Sequence, residues 1–146
     1  MEEQKEIQSQ FRNQQEKYVY YIIALSIAAI GFCVYKTSGQ EIKMSQIPLG
    51  LSVISWGLSV FCGLRFLKYS ISILFANNTY FEIIKGNYPE IGKNPSLIDA
   101  GKSGVKSAIN TNSMRATWYF KCQEWLFYLA IILFIVWHIL EMILKS

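Results

Sequence analysis

The residues best suited to polar chemistry in this sequence lie inside long apolar segments. Ser55, Ser59 and Gly63 fall at positions i, i+4 and i+8 of a segment free of charge, so a helix would place them on one face. Small residues let membrane helices approach closely, and serine hydroxyls supply hydrogen bonds. The row therefore allows three roles: packing within the chain, contact between subunits, or the polar lining of a pore.

The single histidine of the chain stands close to an acidic residue near the end of the last apolar segment. His138 precedes Glu141 by three residues, and that spacing puts both side chains on one helix face. Such a pair at a membrane edge can relay protons, bind a metal or respond to pH. The alternative is a structural role, with Glu141 at the interface and His138 beside it, giving either a hydrogen bond between helices or a simple boundary marker. Each chain has only one histidine, so a metal site would need ligands from several subunits. We therefore expect no metal.

Other signals for catalysis or cofactor binding are weak. The segment Gly101-Lys102-Ser103 matches only the end of a phosphate-binding loop, because Ser96 stands where the pattern requires a glycine and no strand precedes it. The three cysteines form no CxxC or His–Cys cluster, so neither a metal site nor a structural disulfide is expected. We expect no catalytic residue, no enzyme activity and no cofactor.

Three long uncharged runs must position these residues. They cover 18–35, 47–64 and 125–140, and the third reaches full length at 144 if Glu141 lies at the far interface. As helices these runs are about 24–27 Å long, close to the hydrocarbon thickness of about 30 Å. A soluble domain of 146 residues has too little amphipathic sequence to cover three such helices. The runs therefore predict an integral membrane protein.

The distribution of basic residues predicts the orientation. Eleven of the 14 lysines and arginines precede the first run or lie between the second and third, and three lie elsewhere. The positive-inside rule places the more basic side in the cytoplasm. The N-terminus and the long connection are thus expected inside the bacterial inner membrane, with the C-terminus outside.

The helices are expected to continue beyond the bilayer on the cytosolic side. Residues 2–17 lack glycine and proline, and apolar residues recur at helical spacing after the second run to about Lys85. A fourth span at 69–76 is the rejected alternative, because only about eight residues there lack charge, too few for a span. Glycines and prolines predict a loop at 86–104, with helix resuming near 103–106.

The predicted fold is therefore all-α, with three transmembrane helices extended into the cytosol, in a homo-oligomer for which a tetramer is the first arrangement to consider. The expected segments are a cytosolic amphipathic helix at 1–17, spans at 18–35, 47–64 and 125–144, an outer loop at 36–46, and a cytosolic part at 65–124.

Three strings carry a resemblance to known proteins: FRNQQEKYVYYIIALSIAAIGF, WGLSVFCGLRFL and WHILEM. They and the general plan resemble small bacterial membrane effectors of antiphage defence systems, including the Hailong-type effector. The resemblance implies an oligomeric inner-membrane channel that depolarises the infected cell. In the Hailong case it also implies closure by a nucleotide oligomer that a companion cytosolic nucleotidyltransferase makes. The resemblance covers most of the chain but contains no functional motif that assigns a site.

Basic residues of the cytosolic part are candidates for contact with an anionic ligand, and a ring of subunits would repeat their charge around one axis. The candidates are Lys93, Lys102, Lys106 and Arg115. The alternative is that these cations set the topology and touch anionic lipid.

We therefore expect a membrane pore gated through its cytosolic part. The alternatives are a non-conducting scaffold that recruits a cytosolic enzyme through 77–124, or a small proton-coupled transporter that uses His138 and Glu141.

Overall fold

The structure, a computed structural model, describes residues 2–39 and 43–145, and side chains between residues 6 and 144 of those ranges. Three long helices account for most of it: α1 (Glu2–Thr37), α2 (Ile47–Lys85) and α3 (Pro95–Lys145), with a short 3-10 helix at Met44–Gln46. No strand occurs among the described residues. The expectation of an all-α protein is confirmed. Part of the expected outer loop, residues 40–42, lies outside the described residues.

Glycine and asparagine fix the boundaries of the connection between α2 and α3. Gly86 has φ +71°, and its N–H donates to the carbonyl of Ile83 while that of Asn87 donates to Glu82. This pair of bonds is a Schellman cap, which requires the left-handed conformation that glycine adopts without strain. Asn94 then caps α3, because its side-chain oxygen accepts the N–H of Ser96 at 3.2 Å.

The connection is shorter than the sequence pattern predicts. The glycines at 101 and 104 suggested a loop as far as 104, but α3 already begins at Pro95. Proline suits the first position of a helix, where its missing N–H costs no hydrogen bond. Gly101 is tolerated inside the helix because a Cβ there would meet Ile91 at 2.8 Å, so the glycine permits close packing. The prediction of a loop over 95–104 is therefore wrong.

Two compact units divide the chain, at Met1–Leu64 with Phe120–Ser146, and at Arg65–Tyr119. In the first unit α2 runs antiparallel to both α1 and α3. Along α1, Cys33 packs with Leu49 and Ile23 packs beside Gly63. Along α3, Ser52 bonds to Ala130 and Ser59 bonds to Gln123. Its most tightly packed cluster contains Cys33, Leu49, Trp56 and Ala130. The unit is an up-down-up bundle of three helices.

A seven-residue spacing marks the packed face of α1. Val19, Ser26 and Cys33 are buried at successive intervals of seven. In α3 the buried residues Gln123 and Ala130 have the same spacing. This interval of two turns is typical of helices packed at small crossing angles.

The outside of the first unit is apolar. Each long helix contains a window of mean hydropathy between 1.8 and 2.3, yet at most 39% of any such window is buried. By length and composition all three helices can span a membrane. Their lengths of 36, 39 and 51 residues correspond to about 54, 58 and 76 Å, well beyond the hydrocarbon layer of about 30 Å.

The second unit is an antiparallel pair of helical segments joined by the short connection. Tyr69 stacks on Tyr119 with ring centroids 5.7 Å apart, and the Arg115 guanidinium carbon lies 6.0 Å from the centre of the Tyr69 ring. At the other end Gly101 packs beside Ile83. Two helices cannot cover all of their apolar side chains, and large ones remain exposed at Ile71, Leu74, Phe75, Phe81, Ile84, Leu97, Met114 and Trp118.

Candidate functional site

Serine hydroxyls of α2 bind the backbone of α3 inside the first unit. The Ser52 hydroxyl donates to the Ala130 carbonyl at 2.8 Å, and that of Ser59 donates to the Gln123 carbonyl at 2.9 Å. Both bonds are buried. The two serines are seven residues apart on α2, and the two carbonyl residues are seven residues apart on α3. Helix backbones approach closely enough for these bonds because serine is small. We call the four residues Ser52, Ser59, Gln123 and Ala130 the polar seam.

Gln123 joins all three helices at one end of the polar seam. Its side chain is 0% exposed, and its Nε2 donates to the Val19 carbonyl of α1 at 3.4 Å. On the α2 side it packs against Gly63, where a Cβ would lie only 2.4 Å from Nε2. Gly63 therefore provides the space that the carboxamide occupies. An amide buried among apolar helices is expensive unless its polar atoms are bonded.

Four buried polar atoms of the first unit lack a partner among the described residues. They are Oε1 of Gln123, the hydroxyl of Ser26, a residue that is also 0% exposed, and the indole N–H groups of Trp56 and Trp137. Buried polar groups are nearly always hydrogen-bonded, so each exception calls for an explanation such as bound water or an alternative conformation. The serines and the glutamine of the first unit thus form a polar interior within an apolar exterior.

The structure places the three predicted small residues inside a single chain. Ser55, Ser59 and Gly63 are all buried, and Gly63 contacts α1 through Ile23 as well as α3 through Gln123. The row therefore packs helix against helix within the subunit. Its proposed contact with another subunit and its proposed place in a pore stay predictions. Ser26, Ser52 and Gln123 belong to the same interior but were not among the residues predicted from the sequence to lie there.

The predicted membrane-edge pair lies at the opposite end of the bundle. The Glu141 carboxylate accepts a hydrogen bond from the Ser45 hydroxyl at 3.1 Å, so it joins α3 to the start of the α2 segment. The His138 side chain is exposed, and its ring lies 6.4 Å from that of Trp137. The proton-relay role of this pair stays a prediction, and the bond to Ser45 supports a structural role for the carboxylate.

A second acidic residue, Glu124, lies in a polar cluster at the end of the bundle near Gln123. The Tyr18 hydroxyl donates to the Glu124 carboxylate at 3.1 Å and lies 3.4 Å from the Tyr128 hydroxyl. Tyr18 also packs on Phe120, with ring centroids 6.0 Å apart. Tyrosines are enriched where an apolar region meets water. This cluster therefore holds α1 against α3 at this end of the bundle.

The four predicted ligand cations do not form one patch in the second unit. Lys102 lies 3.7 Å from the Asp99 carboxylate, and Arg115 lies over Tyr69. Lys102 and Lys106 share a face of α3, being four residues apart, while Arg115 is about 20 Å from Lys102 along the helix axis. Lys93 belongs to the connection before α3. The helical spacing brings together Lys102 and Lys106.

The described residues include no cluster of three or more His, Cys, Asp or Glu side chains that could hold a metal. The expectation that the chain is not an enzyme remains a prediction. No protein-family model, curated protein or solved structure matches the chain.

Proposed function

We propose that the chain is an integral protein of the bacterial inner membrane, with its N-terminus in the cytoplasm and its C-terminus outside. The apolar exterior of the first unit supports insertion, because exposed side chains of this kind are unfavourable in water and favourable in lipid. The excess of basic residues before the first span and between the second and third supports the orientation.

We further propose that the protein is a gated pore, formed by a homo-oligomer. The observation that carries this proposal is the polar interior, in which Ser26 and Gln123 each have a buried atom without a partner. Polar residues inside membrane segments commonly mark ion or water pathways. In the proposed closed state each subunit keeps these groups inside its own three helices.

Opening would separate α2 from α3 along the polar seam and turn its hydroxyls and carbonyls toward water. The two hydroxyl–carbonyl bonds of the seam would then be broken, and such bonds are worth about 0.6 kcal/mol each on average in membrane proteins. The bond from Ser45 to Glu141 and the packing of Trp56 against Phe134 would have to rearrange as well. A ligand that binds only the closed state would hold the pore shut, and the pore would open when this ligand is absent. Three helices cannot surround an aqueous pathway alone, so several subunits must line it, with a tetramer as the first arrangement to test.

The proposed setting is antiphage defence, where the pore would depolarise the infected cell. This part of the proposal is supported by the resemblance of three sequence strings to defence effectors. Its gating ligand would be a nucleotide or oligonucleotide from a companion cytosolic enzyme. Lys102 and Lys106, on one face of α3, are the first residues to test for contact with its phosphates.

Single-channel recording of Ser59→Ala tests the pore. The substitution removes the hydrogen bond from Ser59 to the Gln123 carbonyl. The closed state should then lose about 0.6 kcal/mol of stability, so the open fraction should rise about threefold. The substitution also removes a hydroxyl from the proposed lining, so the unitary conductance should fall. Ser72→Ala is the matched control, because its hydroxyl bonds only the Lys68 carbonyl of its own helix. Identical conductance and open fraction in both variants would contradict the proposal.

A membrane scaffold is the second candidate, and the exposed apolar side chains of the second unit favour it. Ile71 and Phe75 are four residues apart on α2 and are among the most exposed of them. Exposed apolar patches often mark protein–protein contacts. A scaffold predicts no conductance in any variant, and loss of cytosolic proteins from the membrane when both residues become serine. Lys85→Ser, an exposed change on the same segment, should leave such recruitment intact.

A further inference from the structure

A cavity of about 460 Å³ lies at the end of the first unit where α1 ends and α2 begins. Its walls include the apolar side chains of Val34, Leu49 and Val53, and Cys33 contributes from α1. A volume of this size is within the range of small-molecule sites in proteins. The position matters because this end of the bundle lies at the outer membrane surface in the proposed orientation.

The charged part of this cavity is cationic. Lys43 lines it and is exposed, beside the polar side chains of Thr37 and Gln46. Among the lining residues that the structure describes, none is acidic. Glu141, the carboxylate bonded to Ser45 at the same end of the bundle, does not line it. The first turn of α2 also lacks an acidic residue, so the positive end of the helix dipole adds to the charge of the lysine.

Apolar walls beside a single cation match one class of ligand. We propose that the cavity binds a phospholipid with an anionic headgroup, whose phosphate contacts Lys43 and whose acyl chain lies against Val34 and Val53. The bilayer supplies such a molecule in excess, and a lysine near an anionic lipid surface attracts it electrostatically. A free phosphate would use only the lysine, whereas a neutral lipid would use only the apolar walls.

Two glycines of α2 provide a matched pair of variants. Gly50 lines the cavity, and a Cβ there would meet no atom within 4 Å, so Gly50→Leu places a side chain into the cavity without a clash at Cβ. Gly57 also has open space around its Cβ but does not line the cavity. Gly57→Leu therefore controls for added hydrophobicity and for the loss of a helix glycine.

Native mass spectrometry of the detergent-purified chain, mixed with equal amounts of phosphatidylglycerol and phosphatidylcholine, measures the retained lipid. We expect preferential retention of phosphatidylglycerol by the native chain and by Gly57→Leu, and loss of that preference in Gly50→Leu. Lys43→Gln should reduce the retention of phosphatidylglycerol about fivefold, from the loss of about 1 kcal/mol of attraction. Glycerol phosphate, which has no acyl chain, should not displace the lipid.

Three results would overturn the proposal: equal retention of the two lipids by the native chain, unchanged preference in Gly50→Leu, or displacement by glycerol phosphate. The last result would identify a simple phosphate site. The inference rests on the proposed membrane insertion but not on conduction. A chain that retains phosphatidylglycerol without passing ions would support the cavity and contradict the pore, so the two failures are distinguishable.

Discussion

Replacing Gly63 with alanine tests the packing that joins the three helices of the first unit. The new methyl carbon would lie 2.4 Å from Nε2 and 2.9 Å from Cδ of Gln123, and 3.0 Å from Cδ1 of Ile23. The Gln123 side chain is 0% exposed, so it cannot turn into solvent to relieve the contact. The carboxamide must instead move away from α2, and its bond to the Val19 carbonyl is then lost.

The expected cost has two parts. Overpacking a close-packed interior costs about 1–3 kcal/mol, and the lost hydrogen bond about 0.5–1.5 kcal/mol. Gly57→Ala is the control, because its Cβ has no neighbour within 4 Å. Both changes replace a glycine inside α2, so the gain in helix propensity of about 1 kcal/mol cancels between them. Gly63→Ala should therefore be less stable than Gly57→Ala by about 1.5–4.5 kcal/mol.

The free energy of unfolding is measured by titration with dodecyl sulfate in mixed micelles, followed by circular dichroism. A double-mutant cycle adds Gln123→Ala, which removes the side chain that the methyl group meets. In that background most of the cost of Gly63→Ala should disappear, and only the contact with Ile23 remains. Equal stability of Gly63→Ala and Gly57→Ala, or an undiminished cost in the Gln123→Ala background, would refute the assigned contact.

Three further predictions follow from other contacts. Asn94→Ala removes the cap of α3 and should lower the unfolding free energy by about 1 kcal/mol; a variant as stable as the native chain in the same titration would contradict the cap. Gly86→Ala forces a residue with a side chain to φ +71° and should cost about 1–2 kcal/mol, whereas Gly104→Ala, with open space at its Cβ, should not destabilise. Glu141→Gln keeps an acceptor for the Ser45 hydroxyl, so ion flux should persist with unchanged pH dependence; abolished, pH-dependent flux would instead support the proton-coupled transporter.

The helices could be predicted from the sequence because their signals are local. Three uncharged runs of suitable length identify the spans, and the structure has three helices long and apolar enough to cross a membrane. The boundary of α3 was missed because glycines at 101 and 104 indicated a loop. Gly101 instead lies inside α3, where the absence of a Cβ allows Ile91 and Ile83 to pack closely against the helix. Such a contact is not visible in local sequence.

The polar interior could be predicted only in part. Ser59 and Gly63 were found because they lie four residues apart on one apolar run. Gln123 was missed because it precedes the third uncharged run, where its polarity suggested a position in water. Its burial depends on the space at Gly63 and on the Val19 carbonyl, both distant in sequence. The seven-residue spacing of Val19, Ser26 and Cys33 was the sequence feature that could have identified Ser26 as a buried residue of α1.

Ion flux into vesicles that contain only the purified chain tests the central proposal most directly. The measurement uses a voltage-sensitive dye and a potassium gradient, for the native chain and for Ser59→Ala, over a range of protein-to-lipid ratios. A homo-oligomeric pore predicts flux that rises more steeply than linearly with this ratio, and more open channels in Ser59→Ala because the seam bond to Gln123 is absent. Vesicles that hold their potential at every ratio, with both chains, would contradict the pore and favour the scaffold.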